Sequence, residues 1–168
     1  MDFIQRHQGD DDAAACRGVE HFEIFFAVAG NVMLAVVAFV FGNAAGEHTD
    51  AAAAQVAGAV LLDRGVRKRI EYLGLSNLVG PKLQQIFNQS RFVVGNLECP
   101  ATKIKQPVFK RFVFRGEPEW LTMLAKQGFT HLNLANNHSI DQGREALLDT
   151  RKNIEQAGIT HFGAGRNM

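Results

Sequence analysis

Cysteine is scarce in this chain, since only Cys16 and Cys99 occur among 168 residues. Two cysteines so far apart exclude a disulfide framework, and we expect two free thiols. An excess of charge is also missing, because 18 basic and 17 acidic side chains leave a net charge of +1. No internal repeat is visible. The length excludes two domains of ordinary size and leaves room for one domain with a substantial core.

The near-zero net charge hides a split along the chain. Residues 1–58 carry 2 basic and 8 acidic side chains, whereas residues 59–168 carry 16 basic and 9 acidic ones. A basic surface attracts an anionic polymer, although such a run is also typical of a solvated helix face. Nucleic acid is not expected as a partner, because the cations lack interleaved aromatic residues on one clear surface. The cations in question are the run RGVRKRIEY with Lys103, Lys105, Lys110, Arg111 and Arg115.

The longest apolar run, IFFAVAGNVMLAVVAFVF at 24–41, has no charged residue, and Asn31 is its one strong polar interruption. Its length is at the short end of a membrane span and also suits a buried core segment. Arg6 and Arg17 precede it, so a span would leave the N-terminus in the cytoplasm. The small residues 42–46 would equally suit a signal-peptidase site. A span or signal predicts a membrane-associated or exported protein, and a core segment predicts a soluble one.

These features define the expected domain organisation. Residues 1–23 form a polar N-terminal segment, and 24–168 form the domain, with 42–55 as a loop or linker because GNAAGEHTDAAAAQ is small and polar. In the alternative, 24–41 is a membrane segment and the domain covers 56–168.

Strand and helix patterns alternate from residue 56 onward. Strands alternating with helices of about 10–15 residues predict an α/β fold with a parallel sheet. Residues 91–98 begin as a strand that we expect to stop at Gly95, and 103–116 read as an edge strand or surface loop. Strand patterns cover 56–62, 129–135 and 159–165, and the first of these also suits a helix turn. Helical patterns cover 64–74, 80–90, 117–128 and 144–158.

Three polar clusters follow predicted strands: Asn96 with Glu98; Asn136, Asn137 and His138; and Gly163 to Asn167, including Arg166. Ligands collect beyond the carboxyl ends of parallel strands, so these clusters are expected to share one edge of the sheet. Their oxygen and nitrogen atoms suit Mg, Mn, Zn or Fe. A metal pair would clamp a phosphate ester and activate water, whereas a lone His beside an Asn would donate hydrogen bonds to an anion.

Turn formation explains much of NNHSIDQG without any ligand. Ser139 and Gln142 have capping-box spacing, Asp141 suits the N-cap of the next helix, and Asn136 and Asn137 tolerate left-handed geometry. A turn does not require His138, so from the residues alone a functional and a structural role both remain open for this histidine.

The segments GNLE (95–98), LANNHSIDQG (134–143) and GITHFGAGRN (158–167) carry a resemblance to a known family. From about residue 66 to 167 the chain resembles the CapA family of bacterial capsule and poly-γ-glutamate synthesis proteins, which are similar to calcineurin-like metallophosphatases. The resemblance implies a partial metallophosphatase-like α/β sandwich. It favours a core strand over a membrane or signal helix at 24–41, and both remain open.

The resemblance also implies roles for individual residues. A divalent metal (Mn, Mg, Zn or Fe) would be held at Asn31, Asn96, Glu98, Asn137 and His138. Catalysis would use His138 and Asn137, with Asp141 supporting their loop, and Asn136, Arg166 and Asn167 would contact substrate.

Two departures from the family pattern reduce the expected activity. The family opens with Gly-Asp-Val-Met-Leu, whereas residues 30–34 read GNVML, so Asn31 replaces the ligand carboxylate and would hold a metal more weakly. Family members also continue past GAGRN to a His-x-His pair, and this chain ends at Met168. His131 and His161 are expected to be sheet residues rather than substitutes. A complete two-metal centre is therefore not expected.

Three functions follow from the resemblance. The first is a role in making or exporting an anionic polymer such as poly-γ-glutamate, with an incomplete site and a membrane synthase complex as partner. The alternatives are an active metal-dependent phosphoesterase and a non-catalytic, polymer-binding membrane partner.

Overall fold

The computed structural model of the chain describes residues 19–28, 33–41, 54–73 and 79–165. Within these ranges, six strands form one sheet in the order in which they occur along the chain. They are β1 (Val19–Val28), β2 (Met33–Phe41), β3 (Ala54–Val60), β4 (Phe92–Leu97), β5 (His131–Asn133) and β6 (Thr160–Phe162). The helices are α1 (Gly65–Leu73), α2 (Pro81–Gln89), α3 (Glu119–Lys126) and α4 (Gly143–Gln156).

The sheet has an antiparallel and a parallel part. β1 pairs with β2 and β2 with β3 in antiparallel register, while β3, β4, β5 and β6 pair in parallel. Helices α1 and α2 separate β3 from β4, and one helix separates each later pair of strands. The predicted α/β fold with strand–helix alternation is therefore confirmed, and β1 and β2 extend it with an antiparallel hairpin pairing.

The apolar run at 24–41 contributes to two strands. Residues 24–28 lie in β1 and 33–41 form β2, so the expected single first strand is in fact a pair. Within the described ranges, no helix has the length and apolar content needed to cross a bilayer. β3 begins at Ala54 and so includes the last residues of the segment predicted as a linker.

Local sequence explains where the helices begin and end. Pro81 occupies the first turn of α2, where a missing backbone N–H costs nothing. Glu119 and Lys126 stand at the amino and carboxyl ends of α3, each favourable for the helix dipole. Gly128 follows α3 with a φ of 98°, a left-handed conformation that glycine adopts without strain.

The core lies between the parallel strands and the helices. Leu97 and Leu132 from β4 and β5, Leu121 from α3 and Ile154 from α4 are completely buried. The predicted inward face of α3 is confirmed for Trp120, Leu121 and Leu124, while Ala125 is half-buried. His131 and His161 lie in strands, as predicted.

Two expectations about the middle of the chain are corrected. β4 does not stop at Gly95 but continues to Leu97. The segment 103–115 contains no strand, and only an isolated bridge from Ala101 to Gly116 joins its flanks. Of the two predicted alternatives, an edge strand and a surface loop, the structure therefore has the loop.

Cys99 is a free thiol, as expected. Its side chain is buried, and that burial raises the pKa of the thiol to about 12. The thiolate is the reactive form of cysteine, so Cys99 is a packing residue rather than a nucleophile. Cys16 lies outside the described residues.

Candidate functional site

The site candidates lie on the loops that follow β4 and β5. These strands pair in parallel, with Asn96 opposite Asn133, so their carboxyl ends reach the same edge of the sheet. Asn96 lies near the end of β4 and Glu98 directly after it, while Asn136 to Asp141 form the turn after β5. The parallel topology therefore brings the first two predicted clusters to one edge.

Three asparagine side chains join the two loops. Asn96 donates from Nδ2 to Glu98 Oε1 at 3.1 Å, and its Oδ1 accepts from Asn133 Nδ2 at 3.0 Å and Asn136 Nδ2 at 3.2 Å. Asn136 also donates to the Leu97 carbonyl at 2.9 Å and accepts from the His138 backbone N–H at 3.0 Å. This amide network, consisting of Asn96, Asn133 and Asn136, connects Glu98 to the backbone of His138.

Asp141 anchors the turn from inside. Its side chain is completely buried and is hydrogen-bonded through both carboxylate oxygens. Oδ1 accepts from Lys110 Nζ at 2.9 Å, and Oδ2 accepts from the Phe114 backbone N–H at 2.9 Å and from His138 Nδ1 at 2.7 Å. A carboxylate that accepts several hydrogen bonds holds these groups together without leaving a buried charge unpaired.

The contact with Asp141 orients the His138 ring. His138 Nδ1 lies 2.7 Å from Asp141 Oδ2 and 3.2 Å from Lys110 Nζ. A carboxylate only accepts and its contact is the shorter of the two, so we assign the proton to Nδ1, which leaves the lone pair on Nε2 when the ring is neutral. The Phe114 ring packs on the imidazole with centroids 4.4 Å apart. A histidine fixed in this way by a carboxylate is the arrangement found around metal-ligating and proton-accepting imidazoles.

The predicted capping roles in this turn are wrong. α4 begins at Gly143 with Gln142 at the N-cap, and no side chain of a described residue forms a capping hydrogen bond there. Asp141 is instead committed to Lys110, Phe114 and His138, and the Ser139 hydroxyl donates back to the Leu134 carbonyl. In the described part of the chain Arg64 is the one non-glycine residue with positive φ, so Asn136 and Asn137 do not use left-handed geometry.

The proposed ligand residues differ in what they leave available. The polar atoms of Asn96 and Asn136 are engaged within the amide network, whereas Asn137 is exposed and contributes its backbone carbonyl to Lys110 at 2.6 Å. Among the described residues, His138 Nε2, the Asn137 side chain and the second Glu98 oxygen form no hydrogen bond, so these groups remain available to a ligand. Asn31, Arg166 and Asn167 lie outside the described residues, and all the site roles remain predictions.

Sequence reasoning missed the contacts of three residues, of which Gly163 had been placed in the third polar cluster. Lys110 contacts Asp141 from 31 positions away, a pairing that spacing does not reveal. Asn133 was treated as an ordinary strand residue. Gly163 has a φ of 82°, and a Cβ there would lie 2.5 Å from Asn133 Oδ1 and 2.7 Å from the Ala135 nitrogen. The glycine-rich GAG segment was the available signal, because close backbone approach requires glycine.

Beside this site, an ion-pair network fixes the base of the 103–115 loop. Three cations pair with the Glu117 carboxylate. They are Arg115 through Nη2 at 2.5 Å, Arg67 through Nη1 at 3.0 Å and Lys103 through Nζ at 2.9 Å. Asp63 adds bonds to the Arg115 backbone N–H and to Arg67 Nε. The network ties α1 to both ends of the loop.

Acid is expected to weaken this network. The hydrogen bond from Arg115, helped by Lys103 and Arg67 and opposed by partial burial, holds the pKa of Glu117 below its ordinary value of 4.5. A carboxyl with a depressed pKa stabilises the fold above its unfolded pKa and loses that contribution as the pH falls toward the folded one. We therefore expect the free energy of unfolding to decline below about pH 4.5, with Glu117→Gln declining less by on the order of 1–2 kcal/mol.

Urea unfolding at neutral pH and at about pH 3 measures this difference, since that interval covers the titration of the unfolded carboxyl. Glu145→Gln, at an exposed position in the first turn of α4, serves as the matched control. An acid-induced loss in Glu117→Gln as large as in the wild type would show that Glu117 does not contribute.

The described residues fit a metal only partly. No group of three His, Cys, Asp or Glu side chains placed to hold an ion occurs among them. Glu98 and His138 supply a carboxylate and an imidazole, and Asn137 adds an amide oxygen. This set suits a single hard cation that keeps water in several positions. A two-metal centre would require ligands beyond those described.

The geometry defines a class: an α/β protein whose parallel strands lead into polar loops at one sheet edge. A family model described as "Bacterial capsule synthesis protein PGA_cap" matches residues 54–168. The chain therefore belongs to the PGA_cap family of bacterial capsule synthesis proteins, which confirms the CapA-type resemblance.

Curated relatives agree. The chain is 30% identical over 121 residues to "PGA biosynthesis protein CapA" of Bacillus subtilis, covering 71% of this chain and 32% of the relative. It is 30% identical over 115 residues to "Capsule biosynthesis protein CapA" of Bacillus anthracis, covering 66% of this chain and 28% of the relative. The matched region thus spans less than a third of either relative, whose activity as a whole protein does not transfer directly.

Proposed function

We propose that this chain takes part in the synthesis or export of an anionic capsular polymer, of which poly-γ-glutamate is the leading candidate. Its site binds one divalent cation through Glu98, Asn137 and His138 and is incomplete as a metallophosphatase centre. Membership of a capsule synthesis family supports the biological role. A membrane-bound polymer synthase is the expected partner.

The single observation that carries the site is the linkage of Glu98 to His138. The amide network connects the Glu98 carboxylate to the backbone of His138, and Asp141 turns the same imidazole so that Nε2 is available. These contacts hold both ligand candidates on one edge of the sheet before any ion arrives. A prearranged ligand pair binds an ion with a smaller ordering cost than a flexible pair.

A bound cation would supply positive charge to an anionic group of the polymer or its precursor. The residues themselves would bind and orient: Glu98 offers a carboxylate oxygen, His138 offers Nε2, and Asn137 offers an amide group at the exposed rim. Lys110 keeps Asp141 compensated, with its Nζ 2.9 Å from Oδ1.

His138→Ala is expected to weaken Mn²⁺ binding by about tenfold or more, because it removes the one nitrogen ligand of the set. Calorimetric titration of the full chain with Mn²⁺ measures this change. His161→Ala is the matched control, since that imidazole pairs with Glu155 at 2.9 Å in the last strand and helix. Flat traces for both the wild type and His138→Ala would remove the metal claim.

An active phosphoesterase is the second candidate. The observation that favours it is the His138–Asp141 pair, because an imidazole with a free Nε2 also serves as a general base or acid. Cleavage of an aryl phosphate that requires added Mn²⁺ and is lost in His138→Ala would establish this activity. Metal binding without cleavage, together with co-purification with a synthase, would instead support the non-catalytic role.

A further inference from the structure

A surface beside the site combines exposed aromatic rings with cations. We define the basic–aromatic surface as Lys105, Phe109, Arg111 and Phe112 from the 103–115 loop, with Arg64 directly before α1. Phe109 is fully exposed, at 110% of the reference area, and Phe112 is 49% exposed. Exposing two phenyl rings within four positions leaves apolar area in water that a partner could cover.

The charge of this surface is uncompensated. The segment 103–115 has five cations and no acidic residue. Lys103 and Arg115 pair with Glu117, and Lys110 pairs with Asp141. Lys105, Arg111 and Arg64 form no ion pair with any described residue, and the two arginines lie 5.1 and 6.0 Å from the centroid of the Phe112 ring.

The exposure of Phe109 does not come from a loose loop. Its neighbours on both sides are tied to Asp141: the Val108 N–H donates to the Asp141 carbonyl at 3.0 Å, and Lys110 Nζ donates to Oδ1 at 2.9 Å. Phe114 is bound to the same carboxylate at 2.9 Å. The fold thus holds the backbone on both sides of Phe109 while its ring faces solvent.

The chemistry of the surface distinguishes between anionic partners. A polymer of carboxylates would pair with the cations of this surface, but it has no apolar group to contact a fully exposed phenyl ring. An anionic bilayer uses both, because its phosphates attract Lys and Arg while its acyl boundary accepts the rings. We propose that the basic–aromatic surface docks the protein onto an anionic lipid bilayer, with Phe109 and Phe112 inserted at the interface.

This inference is independent of the metal site. It nevertheless has a consequence for that site, because Lys110 lies between Phe109 and Arg111 and contacts Asp141. A docked protein would therefore hold the Glu98 and His138 edge close to the membrane surface.

Sedimentation of the full chain with vesicles tests the proposal. Vesicles of phosphatidylcholine alone are compared with vesicles that also contain phosphatidylglycerol. The double variant Phe109→Ser/Phe112→Ser is expected to bind the anionic vesicles about tenfold more weakly or worse, because it removes the inserting rings. Tyr72→Ser is the control for an exposed aromatic residue elsewhere, since Tyr72 is 87% exposed on α1. It is expected to bind like the wild type.

Charge is tested separately. Lys105→Ala and Arg111→Ala are each expected to weaken binding about fivefold, and added salt is expected to weaken wild-type binding. Lys126→Ala, at an exposed position on α3, is the matched control. Wild-type binding strength retained in the double phenylalanine variant, or no binding of the wild type to anionic vesicles, would overturn the proposal. Binding of soluble polyglutamate that survives loss of both rings, without vesicle binding, would assign the surface to a polymer.

Discussion

Replacing Asp141 by alanine is expected to lower the free energy of unfolding by about 3–5 kcal/mol. The substitution removes a completely buried carboxylate and leaves the Phe114 N–H and His138 Nδ1 without their acceptor. Lys110 Nζ loses its carboxylate partner and keeps the Asn137 carbonyl. Buried donors that lose their partner cost their full desolvation free energy, and a partly buried ammonium costs more. Urea unfolding monitored by the fluorescence of Trp120, the single tryptophan, measures the loss.

Two comparisons separate this cause from a general loss of charge. Glu155→Ala removes an exposed carboxylate that pairs with His161 at 2.9 Å, and it is expected to cost about 0.5 kcal/mol or less. In the double variant Asp141→Ala/Lys110→Met the ammonium that has lost its carboxylate partner is also removed, so the combined loss is expected to be smaller than the sum of the single losses. A loss below about 1 kcal/mol in Asp141→Ala would contradict the anchoring role assigned here.

Local patterns predicted the helices and the parallel strands, because their causes lie within a few residues. Pro81 stands at the first turn of α2, and Gly128 follows α3 with a left-handed φ. The strands β5 and β6 were placed by short apolar runs that end in polar groups. These patterns did not predict that the apolar run at 24–41 divides between two strands, β1 and β2, which pair with each other.

The candidate site was predicted in outline for a topological reason. Residues that follow neighbouring parallel strands meet at one edge, so Asn96 and Asn136 could be brought together from sequence order alone. The role of Asp141 could not be predicted in this way. Its position suited a helix N-cap, but its carboxylate instead accepts hydrogen bonds from Lys110, Phe114 and His138. Lys110 lies 31 positions away in an irregular loop, where no periodicity indicates which side chain turns inward.

Gly95 shows the same limit within a strand. Glycine in a strand pattern suggests an end or a bulge, yet β4 continues through Gly95, which pairs with Leu132 on β5. The reason is packing from neighbouring elements. A Cβ at this position would lie 2.9 Å from Val60 Cγ2 and 3.0 Å from Phe129 Cε1, so the core leaves no room for a side chain.

Gly95→Val is accordingly expected to lower the free energy of unfolding by about 3 kcal/mol, even though valine favours strands. The branched side chain would displace Val60 and Phe129, both of them buried, and the strand preference would offset only a minor part of that cost. Gly95→Ala is expected to cost less, because it adds one carbon atom. Urea unfolding measures both changes.

Gly80→Ala is the matched control for the added carbon. Among the described residues, no atom lies within 4 Å of a Cβ added at Gly80, and the φ of −66° there is open to any residue. Its expected cost is about 1 kcal/mol or less, since alanine is a poorer N-cap than glycine. Equal stability losses at Gly80 and Gly95 would mean that backbone preference, rather than the contacts with Val60 and Phe129, selects glycine in β4. A larger stability loss in Gly95→Ala than in Gly80→Ala would show that core packing selects glycine in β4, because Val60 and Phe129 leave no room for a Cβ.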